Sequence, residues 1–125
     1  MAARLHLRSV VLGAPDPRAL AWFYERLLGW PRVADEPDWV KLRPDGGGTA
    51  LAFQTEESYV RPVWPPEPGA PQMTAHLDLG VDGDLDGAVA WAVQNGATVA
   101  AHQPQDDVRV MLDPAGHPFC LFQVP

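Results

Sequence analysis

The sequence contains an internal repeat. A shift of 67 positions places residues 9–29 on residues 76–96 without a gap, and a shift of 69 positions places residues 43–54 on residues 112–123. Residues that are identical under these two shifts include Leu12/Leu79, Gly13/Gly80, Gly29/Gly96, Gly47/Gly116 and Phe53/Phe122. Self-similarity at a fixed period indicates that one supersecondary unit occurs twice. The 125 residues are therefore expected to form one domain, residues 1–125, built from two similar halves.

The first half predicts a strand, a helix and then further strands. Alternating and β-branched residues favour a strand over residues 5–12. Asp16 is a favourable N-cap, Pro17 suits the first helical position, and Gly29 can end the helix in a left-handed conformation. A short strand over residues 32–34 is predicted next. Strands over residues 39–43 and 49–54 follow, joined by a PDGGG turn.

The second half predicts the same order of elements after a proline-rich segment. Residues 55–73 hold 5 of the chain's 14 prolines, which excludes a regular helix or strand there and predicts a stiff crossing segment. Asp84 is the expected N-cap of the second helix, and Gly96 its end. The residues expected on its buried stripe are Leu85, Val89, Ala92 and Val93. Strands are predicted over residues 74–80, 98–102, 108–112 and 118–124, so the two units span about 5–54 and 74–124.

Three segments resemble the vicinal oxygen chelate superfamily, which includes glyoxalase I, extradiol dioxygenases and bleomycin resistance proteins. They are APDPRALAWFYERLLGW, HLDLGVDGDLDGAVAWAVQNGA and DPAGHPFCLF, at residues 14–30, 76–97 and 113–122. The chain is similar to the small glyoxalase-like proteins of high-GC bacteria. The resemblance implies an α+β fold in which tandem βαβββ units form curved, incomplete-barrel sheets, and it implies a homodimer. Such motifs specify a fold better than an activity.

The resemblance also implies where a metal would bind. The family's ligand positions correspond to Ser9 and Leu51 in the first unit and to His76 and Cys120 in the second. Leu51 has no donor atom and Ser9 is a poor neutral ligand, whereas a divalent site needs about three or four good donors. We therefore expect no metal cofactor, although an enzyme that uses a divalent ion stays an alternative.

His76 and Asp78 are the candidate catalytic residues. They are two positions apart in a predicted strand, so their side chains share one face and could orient each other for acid–base chemistry. The alternative is a hydrogen-bonded polar pair packed between sheet and helix. Cys120 lies in the apolar segment FCLF, where it is either a ligand contact or a small buried hydrophobic residue.

Five tryptophans are unusual in a chain of this length. Binding pockets are mostly apolar and aromatic with a few placed polar groups. Trp39 and Trp64 are the candidates for pocket walls, since Trp64 lies among prolines outside any predicted element. Trp22 and Trp91 lie on the predicted helices, where packing against a sheet or a second subunit is expected.

Composition narrows the classes of partner. With 9 Lys+Arg against 16 Asp+Glu the net charge is -7, which disfavours nucleic acid. The negative charge either favours a cationic or neutral small ligand or simply serves solubility, which is the commoner reason for it. Glu56 and Glu57 at the end of the first unit could attract such a cation. No apolar window approaches the roughly 20 residues that cross a membrane. A single cysteine and the lack of a secretion signal at the start favour the cytoplasm.

Two functions of different classes follow, and a third remains open. The first is a binding protein that sequesters a small molecule in a Trp-lined cleft without the usual metal tetrad, like the bleomycin resistance proteins. The second is a glyoxalase-like lyase or isomerase that uses His76, with or without a divalent metal. The third is a glyoxalase-like fold with no small-molecule role of its own.

Overall fold

The structure is a computed structural model that describes residues 3–125. Contacts divide the chain into two compact units, one up to residue 59 and one over residues 60–125. Within the described residues each unit has one helix and one open four-stranded sheet, in the order βαβββ. The predicted α+β fold of tandem βαβββ units is therefore confirmed.

The first unit is a mixed sheet with a helix between its first two strands. Its sheet order is β1-β4-β3-β2, in which β1 and β4 are parallel and the other neighbours antiparallel. The elements are β1 (Ser9–Ala14), α1 (Pro17–Leu28), β2 (Arg32–Glu36), β3 (Trp39–Leu42) and β4 (Ala50–Thr55).

The helix α1 begins and ends where the sequence predicts. The Asp16 carboxylate accepts hydrogen bonds from the backbone N–H groups of residues 18 and 19, and Gly29 ends the helix at a φ of 73°. Phe23 and Tyr24 are fully buried, and the Tyr24 ring stacks on Phe53 of β4 with ring centroids 5.6 Å apart. Burying a large apolar side chain stabilises a fold by about 1.5–3 kcal/mol. These contacts fix α1 on one face of the first sheet.

The second unit repeats this arrangement with a less buried helix. Its sheet order is β5-β8-β7-β6, with β5 and β8 parallel. Its elements are β5 (Leu77–Val81), α2 (Leu85–Gln94), β6 (Thr98–Val99), β7 (Val108–Leu112) and β8 (Pro118–Gln123).

The buried stripe of α2 is narrower than the sequence predicts. Asp84 caps the helix by accepting from the Gly87 N–H, as expected. Ala92 is fully buried, but Val93 is 46% exposed, so the prediction for Val93 was wrong. Successive helical residues are rotated by about 100° around the helix axis, so the neighbour of a central buried residue can point to solvent.

Three predicted strands differ most in extent from those observed: β5 begins at Leu77 rather than at residue 74, and the pairing partners account for the other two. The first strand begins at Ser9, since Ser9 pairs with Ala50 at the start of β4, and it continues to Ala14. The predicted strand over residues 98–102 is reduced to the two residues of β6. There the Gln103 side chain donates to the Ala100 and Val110 carbonyls at 2.9 and 2.8 Å and accepts from the Val110 N–H at 2.8 Å. The Ala100 N–H still donates to the Val110 carbonyl at 3.0 Å, and the Gln103 side-chain amide makes the remaining bonds at this end of β6.

The segment that follows β4 contains no helix or strand from residue 56 to residue 73, as its prolines predict. None of the helices within residues 3–125 combines the length and the apolar character that a membrane span requires.

Candidate functional site

Three side chains with metal-binding and acid–base chemistry meet in the second unit. Asp78 of β5 lies directly opposite Cys120 of β8 in the parallel pair, and His76 immediately precedes β5. The His76 Nε2 and Asp78 Oδ1 atoms are 3.0 Å apart. One ligand atom from each of the three residues lies within 4.8 Å of the other two. The sequence placed His76 within the strand, whereas the structure places it one residue before.

The pair of His76 and Asp78 can hold and orient a proton. A carboxylate bound to one imidazole nitrogen fixes the orientation of the ring, as in hydrolytic triads. Because Asp78 engages Nε2, the free Nδ1 is the atom that could accept a proton from a ligand. Both side chains are exposed, so the pair is accessible to a small molecule.

The Cys120 thiol is disfavoured as a thiolate. Its partial burial raises its pKa, and the neighbouring Asp78 carboxylate raises it further. The thiolate is the nucleophilic and metal-binding form of cysteine. At neutral pH Cys120 is thus mainly a protonated, half-buried side chain beside the His76–Asp78 pair.

The donor set of these three residues suits a zinc-type ion. Imidazole nitrogen, carboxylate oxygen and thiolate sulfur are its usual ligands, at about 2.0–2.3 Å from the metal. Ligands at those distances in a tetrahedral site are separated by roughly 3.3–3.8 Å. Donor atoms within 4.8 Å of one another could therefore converge through side-chain rotation. Binding would also have to displace the thiol proton.

The first unit offers no comparable donors at the equivalent positions. Phe53 of β4 stacks on Tyr24 of α1, so its side of the sheet faces the helix. Leu51 lies two residues before Phe53 and shares that side, where their buried partners on β3 are Leu42 and Val40. The residue of β4 on the opposite face, and thus the counterpart of Cys120, is Ala52. Register accounts for this difference from the sequence alignment, because a shift of one residue turns a side chain to the other face. Ser9 keeps its place as the counterpart of His76 and offers only a hydroxyl.

Trp39 lies in an acidic groove of the first unit. The groove has a volume of about 690 Å³ and is open to solvent. It is lined by residues at the ends of β2, β3 and β4 and just after β4, namely Glu36, Asp38, Trp39, Gln54, Thr55, Glu56, Glu57 and Ser58. Trp39 and Gln54 are cross-strand partners in this groove. An aromatic side chain therefore lies among four carboxylates.

The other tryptophans make different contacts. The indole N–H of Trp64 donates to the His102 carbonyl at 3.1 Å, which fixes the crossing segment to the loop after β6 within the second unit. Trp22 and Trp91 are about half exposed, so the expected packing against a sheet does not bury them. The Arg26 guanidinium lies 4.4 Å above the Trp22 ring.

Two features of the site escaped the sequence reasoning. Glu36 and Asp38 join Glu56 and Glu57 in the acidic groove because β4 pairs with β3, a long-range contact. Lys41 and Arg43 lie on the same strand face as Trp39, since alternate residues of a strand share a face. The sequence carries a signal for this arrangement, because Trp39, Lys41 and Arg43 alternate with the apolar Val40 and Leu42.

Comparison with known proteins places the chain in a family. Residues 9–122 match a family model described as a glyoxalase-like domain. The chain belongs to this family. It is thereby a member of the vicinal oxygen chelate superfamily, as the sequence motifs indicate. No curated protein matches the sequence significantly.

Solved structures of glyoxalase-like proteins share the fold. A glyoxalase/bleomycin resistance protein/dioxygenase family enzyme from Burkholderia phytofirmans PsJN aligns with a TM-score of 0.74 and 21% identity, over 97% of this chain and 100% of that chain. A possible glyoxalase from Bacillus cereus aligns with a TM-score of 0.68 and 15% identity, over 95% and 99%. TnmS3, an antibiotic-binding protein from Streptomyces sp. CB03234, aligns with a TM-score of 0.63 and 23% identity, over 100% of both chains. At these identities the likeness shows the fold alone.

Proposed function

We propose that this glyoxalase-like protein binds a cationic small molecule in the acidic groove around Trp39 and sequesters it without the usual metal tetrad. The observation that carries this proposal is the arrangement of Glu36, Asp38, Glu56 and Glu57 around one tryptophan in a groove of about 690 Å³. That volume is in the range of small-molecule sites.

The carboxylates of the groove are available for a ligand. Among residues 3–125 none of the four forms an ion pair with a lysine, arginine or histidine. A cation placed over a tryptophan ring gains about 0.5–2 kcal/mol, and nearby carboxylates add Coulomb attraction. The same four charges repel an anion. The groove therefore selects for positive charge and for a body that can lie against an indole.

The family supports binding as a role without determining it. TnmS3 is described as an antibiotic-binding protein, while other structures of this fold are described as enzymes. The first unit carries no metal-binding side chain at the positions of Ser9, Leu51 and Ala52. Sequestration requires only shape and charge complementarity, which the Trp39 groove supplies.

A pair of probes of equal shape tests the charge requirement. Choline carries a quaternary ammonium, and 3,3-dimethylbutan-1-ol is its neutral carbon analogue. We expect choline to bind, and the alcohol to bind at least about tenfold more weakly. A tenfold difference in Kd corresponds to about 1.4 kcal/mol, which is within the range of a cation–π interaction. Binding is measured by calorimetry and by chemical-shift changes of the tryptophan indole N–H signals.

Two matched variants locate the site. Trp39→Ala should lose choline binding, and Trp22→Ala, which removes a half-exposed indole on α1, should retain it. Equal binding of choline and the alcohol, or retention of choline binding by Trp39→Ala, would count against the proposal. The sequence also predicts Trp64, His76 and Cys120 as ligand contacts, and Trp64→Ala and His76→Ala test that prediction in the same titration.

A second candidate function is a glyoxalase-like isomerase or lyase based on His76. The observation that favours it is the 3.0 Å contact between His76 Nε2 and Asp78 Oδ1, with Cys120 beside them. Asp78 orients the imidazole, and Nδ1 accepts a proton from the hydroxyl-bearing carbon next to a substrate carbonyl. Because His76 is exposed, this proton exchanges with solvent before one is delivered to the former carbonyl carbon, while the hydroxyl proton moves to the former carbonyl oxygen. A zinc-type ion held by His76, Asp78 and Cys120 would polarise such a carbonyl instead, and His76 would then be a metal ligand rather than the base.

Solvent deuterium uptake distinguishes this candidate from simple binding. The thiol adduct of a 2-oxoaldehyde is incubated in deuterium oxide with the wild-type protein and with His76→Ala. Catalysis predicts deuterium incorporation that is lost in His76→Ala while the circular dichroism spectrum is unchanged. Equal incorporation in both proteins would end this assignment.

A further inference from the structure

A cluster of cations lies in the first unit of this acidic chain. The chain has only 9 Lys+Arg, and Lys41 is its single lysine. Lys41 lies close enough to Arg8 and Arg43 for both to act on it electrostatically. Next to them is a cavity of about 380 Å³, lined by His6, Leu7, Arg8, Arg43, Gly47, Gly48 and Thr49.

The sheet brings these residues together from separate segments. Val40 and Leu42 are fully buried on the side of α1, so Lys41 and Arg43 project from the opposite face of β3. The cross-strand partner of Lys41 is Ala52, which is fully buried.

Two hydrogen bonds place the segment before β1 against the loop before β4. The Ala50 N–H donates to the Arg8 carbonyl at 3.0 Å, and the Thr49 hydroxyl donates to the Leu7 carbonyl at 3.2 Å. These bonds hold the backbone of Arg8 beside the Gly47–Gly48 turn. Glycines in the lining also allow a ligand to approach the backbone closely.

The positive charges of the cluster are not neutralised by the protein. Within residues 3–125, Arg8, Lys41 and Arg43 form no ion pair, although Arg18 and Arg32 both pair with Asp35. Partial burial lowers the pKa of Lys41, and the repulsion of Arg8 and Arg43 lowers it further. Like charges held together disfavour the folded state, and a bound anion would relieve that repulsion.

We infer that Arg8 and Arg43, which line this cavity, form with the neighbouring Lys41 a subsite for the oxyanion group, a phosphate or carboxylate, of a small molecule held there. Arginine guanidinium groups bind such oxyanions through paired hydrogen bonds, and lysine adds a point charge. The cavity shares no lining residue with the acidic groove. Trp39 and Arg43 are four residues apart in an extended segment, which spans about 13 Å, and Lys41 lies between them. The inference therefore does not depend on the proposed cationic ligand.

The single lysine provides a direct reporter for this inference. The full-length protein is labelled with ¹⁵N and ¹³C lysine, so that one side-chain signal reports on Lys41. Inorganic pyrophosphate and citrate serve as the probes, at low ionic strength. We expect saturable shifts of the Lys41 signal and a rise in its pKa on binding, because a bound anion favours the charged ammonium. Calorimetry gives the Kd.

Three glutamine substitutions localise the binding. Arg8→Gln and Arg43→Gln should each weaken it by about tenfold, the effect of losing one charged hydrogen-bonding partner. Arg26→Gln removes the same charge from α1, where Arg26 lies over Trp22, and should change the Kd less than about twofold. Trp39→Ala should leave anion binding unchanged, which separates this test from that of the acidic groove.

The outcomes are distinct. Binding of pyrophosphate alone identifies a phosphate ligand, binding of citrate alone a carboxylate ligand, and binding of both an oxyanion site of broad selectivity. The inference is overturned if neither anion shifts the Lys41 signal. It is equally overturned if Arg26→Gln weakens binding as much as Arg8→Gln and Arg43→Gln, since that result would show a general effect of net charge.

Discussion

Asp113 stabilises the turn that leads into β8, and substituting it should lower the free energy of unfolding. The side chain is 2% exposed, and its Oδ1 accepts hydrogen bonds from the N–H groups of Ala115 and His117, both at 2.9 Å. Asp113→Ala leaves both donors without this partner in a partly buried turn. A hydrogen bond to a charged group contributes about 1.5–3 kcal/mol, so the loss of both bonds should lower the free energy of unfolding by about 3 kcal/mol.

Asp113→Asn separates the hydrogen bonds from the charge. Asparagine keeps an oxygen at the same place, so it should retain most of the stability and lose only the stronger bonding of a charged acceptor, about 1 kcal/mol. Asp107→Ala removes an exposed carboxylate from the loop before β7 and should change stability by less than about 0.5 kcal/mol.

Urea unfolding followed by tryptophan fluorescence measures these differences, with equal m-values as the condition for comparison. The reasoning would be refuted if Asp113→Ala unfolded within 0.5 kcal/mol of the wild type. It would also be refuted if Asp113→Asn were as destabilised as Asp113→Ala, because the two hydrogen bonds would then not be the cause.

Four further predictions concern the second unit, the core and assembly. Alkylation of Cys120 by iodoacetamide should be slower at pH 8 than that of a free thiol, because burial and Asp78 raise its pKa; Asp78→Asn should lower that pKa and speed the reaction, and an unchanged rate would contradict the role of the carboxylate. If the alternative enzyme function uses a divalent ion, calorimetric titration with zinc should show binding that strengthens as pH rises, because the thiol proton must leave, and that is lost in His76→Ala; binding that persists in this variant would place the ion elsewhere. Phe53→Ala should destabilise the protein by about 3–5 kcal/mol in urea unfolding, and Phe53→Leu by clearly less, since leucine refills part of the space beside Tyr24; equal losses would place the cost outside packing. Light scattering should give twice the 13.6 kDa chain mass if the protein is the homodimer that the family resemblance implies, and a mass of one chain would refute it.

The elements defined by local chemistry were the most predictable from sequence. Asp16, Pro17 and Gly29 set the ends of α1 through hydrogen bonds and backbone angles within a few residues, so no long-range information is needed. Phe23 and Tyr24, which are fully buried, lie at the spacing of the apolar face of an amphipathic helix, which is also a local signal.

Features that depend on strand register were less predictable. The repeat aligned Leu51 with Cys120, but the pairing of Leu42 with Leu51 places Leu51 on the side of α1 and leaves Ala52 as the counterpart. A one-residue difference in the turn before a strand is nearly invisible in sequence and reverses every side chain that follows. The placement of Arg8 and Arg43 in the lining of one cavity is of the same kind, since it requires the pairing of strands from distant parts of the chain.

The chemical difference between the two units lies on the sheet face turned away from the helix. The helix-facing side of each sheet must exclude water, and in both units it carries large apolar residues such as Phe53 and Phe119. The opposite face does not have to exclude water along its edges. Polar side chains there therefore cost little free energy of unfolding. In the first unit this face presents an indole and cations, and in the second unit it presents imidazole, carboxylate and thiol. Function is therefore best tested by substitutions on this face, where Lys41→Gln or Asp78→Asn should alter ligand binding while leaving the free energy of unfolding within about 0.5 kcal/mol of the wild type.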